Sequence, residues 1–159
     1  MTPKSRNRIT RFLAILSLLI FFLPFFQMCS DESIKGNGFI KSYANAKTEE
    51  EKEKAFVQSK NDFSISGYEL AMTFDSIFLG FSAIMFLNFA ICICVFRGHK
   101  KLLLLSFLNL VFILFSFVML VFALPGLGQI RYGMYACVIN ALLLFYFIYK
   151  ENETAYNSR

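Results

Sequence analysis

The chain has 159 residues, with no tryptophan, a single histidine and three prolines. His99 stands alone among Arg97, Lys100 and Lys101, so no histidine metal cluster can form, and no phosphate loop or nucleophile with a neighbouring base accompanies it. The cysteines are Cys29, Cys92, Cys94 and Cys137. Cys92 and Cys94 are two apart, which points them to different faces of a helix and excludes a metal pair. Charge is scarce as well: 17% of residues are charged, against about 25% in ordinary soluble domains. Within the long apolar runs the scarcity is nearly complete, Asp75 being the only acid. Helices without a polar face have no side to turn to water, and that excludes a soluble amphipathic architecture.

What the chain has instead is phenylalanine, 21 of them, set among leucine, isoleucine and valine in four runs. These cover residues 12–29, 70–96, 102–124 and 132–149. A bilayer core about 30 Å thick requires about 20 apolar residues in a helix to cross it. The expected fold is an all-α integral membrane protein, a four-transmembrane-helix bundle. Residues 30–69, between the first two spans, are its extracytoplasmic cap, of mixed hairpin and helix. Pro24 falls inside the first run and is expected to kink it, which bilayers tolerate. That run reads as an uncleaved span, because no small-residue cleavage site closes it. The bulky Met28 before Cys29 argues against a lipid-modified cysteine, and whether Cys29 pairs with Cys137 is left open.

The net charge of +5 is a matter of placement. Lys4, Arg6, Arg8 and Arg11 precede the first run, and Arg97, Lys100 and Lys101 fill the turn between the second and third. Short basic segments stay on the cytoplasmic side. Both termini are therefore expected in the cytoplasm, in the multi-pass arrangement of a bacterial inner-membrane protein. The basic residues serve topology rather than nucleic acid, and each separate cluster is small for anionic-lipid recognition. Tyr68, Tyr132 and Tyr135 at one set of ends, and Tyr146 and Tyr149 at the other, suit the two interfaces.

In the cap, Asn37-Gly38 between apolar residues signals a hairpin. Thr48 with Glu51 forms a capping box that opens a helix through about Lys60, and residues 63–66 alternate as a short strand. Gly67 then turns the chain into the second span. As the one sizeable loop region, the cap is where a partner would be recognised, with Lys41 and Lys47 as candidate contacts.

Polar groups inside spans hold helices together or mark function. Asn88 lies eight residues before Phe96 and Asn109 seven after Leu102, so antiparallel helices bring them to similar depth, with Asn140 within about a turn of it. The expected role is an interhelical polar cluster. Asp75 and Arg131 fall on the outer side and are candidates for an ion pair. The small residues Gly80, Gly133, Cys137 and Ala141 suit close helix approach.

Two segments carry a resemblance: Leu23-Pro24-Phe25-Phe26-Gln27-Met28-Cys29-Ser30, and Ser66-Gly67-Tyr68-Glu69-Leu70-Ala71. They resemble signatures of small uncharacterised bacterial four-span membrane proteins, which pair a Leu-Pro-aromatic end of the first helix and a nearby cysteine with Ser-Gly-Tyr-x-Leu-Ala at the second. Such proteins often carry tryptophan after the proline, where this chain has Phe25. The resemblance implies no activity. The topology is similar to that of claudin-type tetraspan proteins, whose tryptophan and paired-cysteine loop signature this chain lacks.

The expected function is non-enzymatic and needs no cofactor. The chain reads as an accessory or partner-binding subunit, a toxin-immunity protein being one form of it. Its partners would be the bilayer and another membrane or envelope protein. The alternative from another class is a small cation- or proton-coupled transporter or channel using Asp75 and the asparagines.

Overall fold

The computed structural model describes residues 3–28, 48–73, 79–97, 101–123 and 129–157. The expected Asn37-Gly38 hairpin, Cys29, Lys41, Lys47 and Asp75 lie outside them. In chain order the elements are α1 (Pro3–Ile20), β1 (Pro24–Gln27), α2 (Glu49–Asp62), β2 (Ser64–Ser66), α3 (Gly67–Met72), α4 (Leu79–Arg97), α5 (Leu102–Ala123) and α6 (Tyr132–Asn157). The fold is mostly helical, and three helices, α4, α5 and α6, are long and apolar enough to cross a membrane.

The four long helices form a closed ring. α1 packs on α4 and α6, and α5 packs on the same two. Two apolar clusters fill the interior. One, toward the β1 end, gathers Phe21, Phe25, Phe81, Ile84, Ile113 and Met134 among others. The second, toward the N-terminus of α1, joins Leu13, Ala14, Ile91, Val95, Leu144 and Ile148.

The first expected span, 12–29, is corrected. α1 stops at Ile20, and Pro24–Gln27 runs as a strand rather than as the far side of a kinked helix. Proline has no N–H to give a helix, and it drives the residue before it out of helical conformation. The last helical carbonyls are closed by tighter bonds, Phe22 N–H to Leu19 O and Leu23 N–H to Ile20 O. The extended segment then finds partners on both sides. β1 pairs antiparallel with β2, and Phe26 bridges Ile130 on the other side. Arg131 N–H donates to Phe25 O at 2.9 Å. Buried extended backbone is tolerated when its polar groups are satisfied in this way.

The second expected span, 70–96, is also corrected at its start. Helix is present at 67–72, Thr73 is extended, and α4 begins at Leu79. Thr73 turns its backbone N–H and its hydroxyl to Glu69 O. Ser82, on α4, donates its hydroxyl to Ala71 O, so a carbonyl at the end of α3 is satisfied by a side chain from α4. The third expected span, 102–124, coincides with α5, its last residue lying outside those described. α6 continues past the expected 149, two turns beyond the apolar run.

The capping signal read from sequence at Thr48 forms as bonds, and the structure adds a second capping box. Thr48 and Glu51 cap α2 reciprocally, and the helix ends at Asp62. Ser66 and Glu69 do the same for α3, with Ser66 N–H and Oγ–H both donating to Glu69 Oε2 at 2.7 and 2.9 Å. The backbone bond, then the hydroxyl bond, hold the Glu69 carboxyl below its ordinary pKa by stabilising its charged form. The strand at 64–66 has β1 as its partner.

Candidate functional site

Three buried amides lie where the two apolar clusters meet. Asn88 falls between Met85 of one cluster and Ile91 of the other, and Asn140 between Cys137 and Leu144. Asn109 Nδ2 donates to Asn88 Oδ1 at 2.8 Å, joining α4 to α5; the two residues are 2% and 0% exposed. Asn140 does not join this pair. Its Nδ2 donates to Leu13 O at 3.2 Å and ties α6 to α1. The three asparagines thus serve two different helix contacts. Asn88 Nδ2, Asn109 Oδ1 and Asn140 Oδ1 are buried with no hydrogen-bond partner among the described residues.

Neutral amides neither gain nor lose a proton near neutral pH, so this belt can fix helices and cannot relay protons. Serines flank it. Ser17 and Ser106 are buried, and each donates to a carbonyl of its own helix. Ser116 Oγ lies 2.7 Å from the place a Cβ on Gly80 would occupy, so α4 and α5 also approach closely about two turns away from the pair. A buried polar atom that loses its partner in an apolar surround is costly, which is what gives such pairs their effect. Replacing Asn88 or Asn109 by leucine should each destabilise the bundle by about 0.5–2 kcal/mol, and the double change should cost less than the sum. Asn88→Leu combined with Asn140→Leu should be additive, because those residues bond different helices. A detergent unfolding series showing additivity for the first pair would mean that the bond carries nothing.

At the strand end the polar groups are of another kind. Gln27 and Gln129 are buried, and Gln129 Nε2 reaches Met28 O at 3.4 Å. Arg131 lies beside them, half-buried, its Nε without a hydrogen-bond partner among the described residues. Its expected partner Asp75 is outside the described residues. Gln27 is not among the expected site residues, although an amide inside an expected span is the same signal that singles out the asparagines. Gln129 sat in a short connection and gave none.

The same end brings together the two segments that carried the sequence resemblance. Gly67 N–H donates to Leu23 O and Tyr68 N–H to Phe21 O. Tyr68 stacks on Phe22 with centroids 5.5 Å apart and planes 7° apart. Phe25 is fully buried between two glycines: a Cβ on Gly67 would lie 2.8 Å from its Cζ, and one on Gly133 2.8 Å from its Cδ1. Ser-Gly-Tyr and Leu-Pro-Phe are therefore two halves of one packed junction.

At the opposite end, Thr10 is buried and donates to Glu151 Oε1 at 2.8 Å, holding the start of α1 to the end of α6. Arg11 lies over the Phe96 ring at 5.5 Å. Among the described residues no three His, Cys, Asp or Glu side chains come together as a metal site. No protein-family model, curated protein or solved structure matches the chain.

Proposed function

We propose that the chain is a four-span inner-membrane protein of bacterial type that acts without chemistry of its own, as an accessory or partner-binding subunit. The observation that carries this reading is the Asn88–Asn109 bond, sealed in the core. The mid-bundle amides are used between helices, as in a scaffold, where a transporter would turn such groups toward a passage.

α1 is the proposed fourth span. Phe12, Ile15 and Leu19 are exposed along it and Phe22 just beyond its end, while Leu13, Ala14, Ser17 and Ile20 are buried against the bundle. The exposed stripe continues the apolar faces of α4, α5 and α6, as a lipid-facing belt would. In the proposed orientation both termini are cytoplasmic, since Arg8, Arg11, Arg97, Lys101 and Lys150 gather at one end. Labelling from outside the cell of a cysteine placed at Ser158 would overturn that orientation.

The segment between α1 and α4 is the proposed contact surface. Its helix α2 is capped and highly charged, with Glu50, Glu53, Lys54, Val57 and Gln58 on one groove-lined face. Val57 is exposed there despite being apolar. A partner meeting this surface fits an accessory subunit and equally a toxin-immunity protein. Charge reversal at Lys41 and Lys47 should lower partner recovery in mild-detergent co-purification read by mass spectrometry, because exposed charges steer and select partners. Asp75→Asn should leave that recovery intact. A cation or proton flux in liposomes that the wild type supports and Asp75→Asn abolishes would replace this reading with a transporter.

A further inference from the structure

We infer that the end of the bundle where α4 packs on α1 and on the foot of α5 binds the headgroup and acyl chains of an anionic phospholipid. The inference rests on the membrane reading and on neither the identity of a partner nor the orientation. In sequence the basic residues form separate small clusters; the fold merges them. Arg11 from α1 rests on the Phe96 ring of α4, so its guanidinium sits one residue from Arg97, and Lys101 lies at the start of α5. The adjoining Leu102 and Leu103 pack against the cluster of Leu13, Ala14, Ile91, Val95, Leu144 and Ile148, which places the foot of α5 at the same end of the bundle.

Arg8, Arg11, Arg97 and Lys101 are exposed and have no carboxylate at ion-pair distance among the described residues. The nearby acids on α6 are Glu151, which accepts from Thr10, and Glu153. Cations outnumber acids at this end. Immediately below the charges the surface turns apolar. Phe12 on α1 and Ile93 and Phe96 on the adjacent α4 are all more than half exposed.

Cations above an apolar strip between two helices match a phosphate above acyl chains. Inorganic phosphate would use only the first half of that surface, and nucleic acid has nothing to lay on the second. Cation–π contact with Phe96 fixes Arg11 while leaving its N–H groups free to bond phosphate oxygens.

The test uses the intact protein in bilayers of phosphatidylglycerol and phosphatidylcholine in equal amounts, with the lipid retained after extraction read by native mass spectrometry. Phosphatidylglycerol should be enriched. Arg97→Gln and Lys101→Gln should each lower that enrichment by about fivefold, the equivalent of one surface cation acting on an anionic lipid. Arg97→Lys and Lys101→Arg keep the charge and should keep the selectivity. Millimolar inorganic phosphate should displace none of the lipid. Equal retention of the two lipids, or selectivity indifferent to the glutamine changes, would overturn the proposal. Displacement by phosphate would overturn the lipid as occupant in favour of a headgroup-only anion site. Failure to enter bilayers of any composition would instead overturn the membrane reading beneath it.

Discussion

Phe25→Ala should lower the stability of the folded bundle by about 3–5 kcal/mol, the range for deleting a fully buried phenylalanine. The ring is entirely inaccessible, packs against Phe21 at 5.3 Å and meets Phe81 edge-on at 6.1 Å. Because glycines occupy two of its sides, no side chain at those positions can move in to fill the space. Alanine at Gly67 should therefore be destabilising by itself, since its Cβ would press on the Phe25 ring. In the Phe25→Ala background the same change should become nearly neutral, as the obstructing ring is gone. Reversible unfolding in mild detergent of the two single variants and the double variant checks both statements. A loss under about 1 kcal/mol for Phe25→Ala, or a Gly67→Ala cost unchanged in that background, would show that the ring is not what holds the junction.

Gly133→Val should be worse tolerated and should not be rescued. A Cβ at 133 would lie 2.5 Å from the carbonyl oxygen of Pro24 and 2.9 Å from Leu23 Cβ, as well as against the Phe25 ring. Removing the ring cannot relieve a collision with backbone, and that backbone is held by the pairing of β1 with β2 and Ile130. Overpacking ordinarily costs about 1–3 kcal/mol, more where the obstacle cannot yield, so a loss at or above that range is expected. It should persist in the Phe25→Ala background. Loss of Arg131 amide protection in hydrogen exchange should accompany it, because the Arg131 N–H bonds Phe25 O only when α6 sits flush on the strand. Wild-type stability with retained protection would contradict the close approach.

Much of the helical plan was open to reading along the chain. The apolar runs at 102–124 and 132–149 announce α5 and α6, because run length against bilayer thickness is a one-dimensional test. The depth match of Asn88 with Asn109 needed only the rise per residue counted from a shared turn. The cap at Thr48 was equally local, needing only residues three apart. Composition likewise leaves a single histidine, too few for a histidine metal cluster.

Tertiary structure decided what those local rules could not weigh. Pro24 ends the helix locally, but Pro24–Gln27 runs on as a strand because its backbone is bonded by Ser64–Ser66 on one side and by Ile130 and Arg131 on the other. Partners that distant cannot be inferred from an apolar run, which looks the same whether helical or extended. Likewise the end of α3 is bonded by Ser82 reaching back to Ala71, and the separation of Asn140 from the other asparagines depends on which helices are neighbours in the ring. Sequence determined which residues leave water and at what depth, because that follows from transfer free energy residue by residue. Which backbone groups and which side chains then met was decided only in the fold, because hydrogen bonds and close packing depend on distances between segments far apart in the chain.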